Sequence, residues 1–205
     1  MTEHLHWAQP GDAAAVAGAV AAVVAQPGPR RIAVPGGATP RAVFGQLAER
    51  SLDWSQVTIV PTDDRRVPPE HPASNLGALQ RALSATGARL VALAEGDRPE
   101  PFDLVWLGMG EDGHVASLFP TMTATAAEGP AVIATVPEPL PPASPFPRLS
   151  LNLPALTAAD RIIVAITGEA KRQVVARAIA GQGDEPIRHL LEAATCPVEI
   201  FWSPT

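Results

Sequence analysis

The 205 residues are 46% hydrophobic and 18% charged, a soluble globular composition long enough to bury a sizeable core within one domain, residues 1–205. A formal charge of −6 argues against general nucleic-acid binding, and a lone cysteine, Cys196, excludes an internal disulfide and fits a reducing cytoplasm. No basic segment precedes an apolar stretch, so no signal peptide is expected, and the longest apolar run, Ala13–Ala25, is too short and alanine-rich to span a bilayer.

From the N-terminus, "HLH" at His4–His6 reads as a strand alternating polar and apolar; no other Cys/His cluster has the spacing of a zinc site. A helix is predicted over Asp12–Ala25. The strand Arg31–Pro35 then runs through "PGGATP" into a helix over Pro40–Arg50. Two readings of that turn stay open. Gly36, Gly37, Ala38 and Thr39 would present backbone N–H groups to a phosphate at a helix start. Alternatively, Thr39 is simply the N-cap and Pro40 the first helical residue. It is not a P-loop, because no Gly-Lys-Ser/Thr follows.

The strand Val57–Pro61 ends in "PTDDRRVP", with two carboxylates and two arginines at one strand end. Asp63 or Asp64 pairing with Arg65 or Arg66 would be a structural ion pair; an arginine facing outward would be a planar donor to an anion. A helix over Asn75–Ala85 follows, with Ser74 or Asn75 as its cap. Next come strands Arg89–Leu93 and Phe102–Met109, the second leading into "GMGEDGHVASLFP".

Gly108, Gly110 and Gly113 spell the dinucleotide pattern G-x-G-x-x-G, which requires a full crossover helix after the third glycine. Pro120 arrives too soon for that helix, and Glu111 and Asp112 put negative charge where a pyrophosphate would sit. The fingerprint reading fails. What remains is a loosened turn presenting Asp112 and His114, a base candidate with an acidic neighbour. Ser117 is not in a G-x-S-x-G elbow and is a poor nucleophile.

Strands Ala131–Val136 and Leu149–Leu153 flank "PEPLPPASPFP", residues 137–147, read as a stiff surface loop rather than a linker. Arg148 follows it directly, placed to close over an anion. The strand Arg161–Thr167 ends in "GEAKRQVV", which puts Lys171, the chain's only lysine, at the start of a helix over Glu169–Ala180. A helix over Pro186–Ala193 and a strand over Val198–Trp202 complete the chain. Continuous apolar strands alternating with helices predict an α/β fold: an open, doubly wound, mostly parallel sheet with helices on both faces, Rossmann-like. Ligands in such sheets bind beyond the carboxyl ends of the strands.

The segments "VPGGATP", "PTDDRRVP", "SNLGALQRAL", "DLVWLGMGEDGHVASLFP", "PRLSLNLPAL" and "ITGEAKRQVV" resemble, in this order, the 6-phosphogluconolactonase family within the glucosamine-6-phosphate isomerase/deaminase superfamily. The resemblance implies hydrolysis of 6-phospho-D-glucono-1,5-lactone to 6-phospho-D-gluconate in the oxidative pentose phosphate pathway. It assigns His114 as the base that activates water and Asp112 as its orienting acid. Substrate and phosphate contacts fall on Gly36, Gly37, Ala38, Thr39, Asp63, Arg65, Arg148 and Lys171, with Arg65 the aligned arginine and Asp64 standing where the family has glutamate. The deaminases resemble "DGHIAFNEP" here, with a catalytic glutamate where this chain has Phe119, which weighs against amine chemistry. A non-catalytic sugar-phosphate sensor would be expected to carry a helix-turn-helix, for which no N-terminal segment has room, and would not need His114. No metal and no cofactor is expected. The expected partner is a small phosphorylated sugar lactone, without nucleic acid or membrane, and the expected assembly a monomer or weak homodimer in the cytoplasm.

Overall fold

The computed structural model describes residues 4–122, 129–141 and 144–205, the side chains of residues 38 and 39 excepted. The order of elements is β1 (Leu5–Trp7), α1 (Ala13–Val24), β2 (Arg30–Val34), α2 (Ala38–Ala48), β3 (Val57–Pro61), β4 (Asp63–Arg65), α3 (Asn75–Ala82), β5 (Arg89–Leu90) and β6 (Leu104–Leu107). There follow β7 (Val132–Thr135), β8 (Arg148–Leu151), α4 (Leu153–Thr157), β9 (Ile162–Thr167), α5 (Glu169–Ile179), α6 (Pro186–Ala193) and β10 (Val198–Ser203).

Seven strands form one sheet in the order β1-β10-β9-β6-β2-β3-β5, and every neighbouring pair is parallel. The alternation of side chains along the central strands explains why both faces are covered. In β6, Val105 and Leu107 enter one core while Leu104 and Trp106 enter the other. In β9, Ile162, Val164 and Ile166 join the first core and Ile163 and Ala165 the second. A strand buried on both sides has no polar face, which is why these runs read as continuously apolar. The first core is closed by Leu156 of α4, Val175 of α5 and Leu190 of α6, and the second by Val20 of α1 and Phe44 and Leu47 of α2. Each such fully buried side chain contributes about 1.5–3 kcal/mol, enough together to hold the strand ends as a rigid frame.

The winding reverses between β2 and β6. From β2 the chain steps outward to β3 and β5, then returns to the other side of β2 with β6 and continues to β9 and β10. Neighbouring loops beyond the carboxyl ends of β2 and β6 therefore diverge and leave a crevice, the usual place for a ligand in an open α/β sheet.

Three differences from the sequence reading bear on the site. First, β7 and β8 do not join the main sheet; with β4 they form an antiparallel sheet ordered β4-β8-β7, in which Arg65 lies opposite Arg148 and Asp63 opposite Ser150. The proline-rich segment thus connects two paired strands; its residues 142–143 lie outside the described residues. Second, Arg148 belongs to β8 rather than to the loop before it. Third, α2 begins at residue 38, so neither Thr39 as N-cap nor Pro40 as first helical residue holds. Gly37 is the cap, at φ 106°, where a side chain would strain the backbone.

Candidate active site

Pro35, Gly36 and Gly37 after β2 and Gly108, Met109 and Gly110 after β6 wall a cavity of about 330 Å³ at the winding reversal. Asp63 and Arg65 of β4, Arg148 of β8, Lys171 of α5, Asn75 of α3 and His114 complete its lining. Strand ends from both sheets thus bring three cations and one imidazole to a single space. Of the positions expected to touch a ligand, Gly36, Gly37, Asp63, Arg65, His114, Arg148 and Lys171 all line it. Ala38 and Thr39 contribute the first two positions of α2, while their side chains lie outside the described residues.

Three cations line this one cavity. Asp12, Ser74 and Asn152 cap α1, α3 and α4 through side-chain oxygens, whereas α2 and α5 begin at Gly37 and Gly168 with no side-chain cap. Their first N–H groups thus lack the acceptor that a capping side chain would supply. Arg148 is 7% exposed. Burial, and then the nearby Arg65 charge, push its guanidinium below the ordinary arginine range, with Asp63 opposing. Its Nε has no hydrogen-bond partner among the described residues. Two like charges facing a common space, one of them desolvated, are what a dianionic ligand would relieve.

Asp63 lines the cavity, and its carboxylate is also engaged within the protein. Its Oδ2 accepts a 2.6 Å hydrogen bond from Ser117 Oγ and lies 4.0 Å from Arg148 Nη1. The carboxylate thus joins the buried Ser117 hydroxyl to the Arg148 guanidinium at the cavity wall. The two neighbouring arginines point in different directions. Arg65 lines the cavity and donates from Nη1 to Asn75 Oδ1 and from Nε to Ser144 Oγ at 3.2 Å. Arg66 points outward and pairs with Glu95 at 3.1 Å, both about half exposed.

His114 Nδ1 lies 2.6 Å from Asp112 Oδ1. A carboxylate only accepts, so Nδ1–H is the donor in this contact, and in the neutral ring Nε2 is the nitrogen left with a lone pair. The carboxylate side chain is 52% exposed, so water screens its charge and its main effect is on orientation. Of the three glycines of this stretch, Gly110 makes room for the pair. A Cβ on Gly110 would sit 2.2 Å from the imidazole Cε1 and Nδ1 and 2.5 Å from Asp112 Oδ1. Within the turn, the backbone N–H groups of Gly110 and Gly113 donate to His114 O and Gly110 O. The turn is self-bonded, and those two amides are not available to an oxyanion.

Sequence reasoning missed several residues. Asn75 reads as a second capping residue beside Ser74; only Ser74 accepts from the helix, and the Asn75 side chain instead holds Arg65 and the Asp63 carbonyl. Asp64 closes the same helix, accepting from Asn75 N at 2.6 Å, Leu76 N at 3.0 Å and Ser74 Oγ at 3.1 Å. Ser117, dismissed as a nucleophile, is fully buried and links Asp63 to Ser150 through 2.6 and 3.1 Å bonds. A surplus of cap-type residues in "SNLG" was the one available signal.

Fold and cavity together define a class: parallel α/β proteins with a cation-lined cavity at the winding reversal, beside an aspartate-supported histidine. The chain belongs to the family described as glucosamine-6-phosphate isomerases/6-phosphogluconolactonase, whose model matches residues 12–95 and 78–202. It is 37% identical over 219 residues to a 6-phosphogluconolactonase of Rhizobium meliloti, covering 90% of this chain and 89% of that protein. To one of Mesorhizobium japonicum it is 36% identical over 220 residues, covering 96% and 92%. The crystal structure of a 6-phosphogluconolactonase from Shewanella baltica superposes with a TM-score of 0.81 at 28% identity, covering 97% of each chain.

Proposed function

We propose that this protein hydrolyses 6-phospho-D-glucono-1,5-lactone to 6-phospho-D-gluconate, the lactonase step of the oxidative pentose phosphate pathway, in the cytoplasm. The observation that carries the reading is the shared cavity: one space joins His114 to Arg65, Arg148, Lys171 and the Gly36–Gly37 turn. In it, the 6-phosphate binds to the three cations and to the free N–H groups of the α2 start, while the lactone carbonyl faces His114.

His114 Nε2 takes a proton from water as its oxygen attacks the carbonyl carbon C1. The imidazolium, held by Asp112, then gives that proton to the ring oxygen as the C1–O bond breaks. The products are a free carboxyl group and a hydroxyl at C5, with no net change in the enzyme. The phosphate grip supplies orientation, which is worth several orders of magnitude when the reacting atoms are held in line. Amine chemistry is disfavoured by the ring of Phe119, which packs against His114 where a deaminase would carry its carboxylate.

The test is hydrolysis of freshly made lactone by wild type and His114→Ala. The variant is expected to lose at least about a hundredfold in kcat with an unchanged circular dichroism spectrum. Equal turnover by the two would remove His114 from the chemistry.

A further inference from the structure

Phe119 closes the turn that carries the catalytic pair, and the residues just before it are pinned. Val115 is fully buried and bridges Met109 and Leu118, and Ser117 is tied to Ser150 and Asp63. The ring is thereby delivered to a fixed place. Its centroid lies 4.9 Å from that of His114, with the planes tilted by 40°. The Arg148 guanidinium carbon lies 5.6 Å from the same centroid. Phe119 is half-buried and lines a neighbouring cavity rather than the one that holds His114 and Arg148.

Both groups need such a support. Among the described residues the imidazole has one side-chain hydrogen-bond partner, a half-exposed carboxylate, and a single such contact leaves rotation about it to be limited by packing. Arg148 is held only at long range, Nη2 to Ser144 O at 3.5 Å and Nη1 to Asp63 Oδ2 at 4.0 Å, with Nε unpartnered among the described residues. An aromatic face is the one flat surface that accepts an imidazole by ring contact and a guanidinium by its negative quadrupole.

We propose that Phe119 is a positioning residue that seats the His114 imidazole and the Arg148 guanidinium on one ring, so that the aim of the base and the grip on the anion depend on the same side chain. This rests on the lactonase reading above. The consequence is a joint defect: disturbing the ring alters kcat and anion affinity together, which loss of a simple packing residue remote from both would not do.

The experiment compares wild type, Phe119→Leu and Phe119→Tyr. It reads kcat on the lactone, the Kd for 6-phosphogluconate by calorimetry, and Tm. The leucine variant is expected to lose about tenfold in kcat, because small misplacements of a reacting group are costly. Its Kd is expected to rise about fivefold through the lost cation–ring contact. Tyrosine, which keeps the ring, restores most of both; Phe119→Met replaces the leucine variant should that one fail to fold. Parameters within twofold of wild type in the leucine variant, a change in only one of the two, or a tyrosine variant as impaired as leucine would overturn the proposal. A wild type inert toward the lactone would overturn the lactonase reading itself, whereas a fully active leucine variant overturns Phe119 alone.

Discussion

Substituting Gly110 by alanine tests whether the glycine turn exists for the sake of the histidine. Gly110 does not occupy the left-handed region, so the backbone accepts alanine and any effect comes from the new methyl alone. That methyl would lie 2.2 Å from the imidazole and 2.5 Å from Asp112 Oδ1, whereas ordinary contacts begin near 3.4 Å. The ring must therefore retreat by about 1.2 Å, which breaks the 2.6 Å bond to Asp112. A displacement of that size is worth roughly a hundredfold in rate. The stability cost is about 1–3 kcal/mol at most. Steady-state kinetics on fresh lactone with a parallel melting curve separate the two: kcat is expected to fall about a hundredfold, with KM nearly unchanged because the cations are untouched. A Gly110→Ala enzyme within threefold of wild type would refute the claim that the glycine makes room for the catalytic pair.

Two further outcomes follow from the same geometry. Arg148→Met keeps the apolar stem but removes a charge-assisted contact of about 1.5–3 kcal/mol, so KM should rise about 10- to 100-fold in the same assay; a KM within twofold of wild type would take Arg148 out of the anion site. Asp64→Ala removes the acceptor for three donors at the start of α3, at a cost of about 1–2 kcal/mol. Calorimetry should then show Tm lower by about 2–8 °C, with kcat nearly kept; an unchanged Tm would contradict the capping role.

The main sheet was legible because its strands are buried on both faces: "LVWL" and "RIIVAIT" carry the pattern of two-sided burial in their own residues. The site was legible where chemistry sits just after a strand, as for His114, Arg65 and Lys171. Three features were not. The strand β4 is Asp-Asp-Arg, with no apolar period at all; it exists through its pairing with β8, which is 83 residues away at Arg65↔Arg148 and leaves no local trace. The early start of α2 depends on Gly37 adopting a positive φ, which glycine permits but does not require. Asp63 and Asp64 look alike in sequence, yet one backs an arginine and the other caps a helix. Which does which is decided by the direction each side chain takes from the strand.

The most direct measurement is a crystal structure of the protein with 6-phosphogluconate. The account predicts phosphate oxygens within about 3.2 Å of Arg65, Arg148 and Lys171, and the C1 carboxylate within about 3.5 Å of His114 Nε2. A phosphate bound away from these three side chains, with the sugar out of reach of His114, would contradict it.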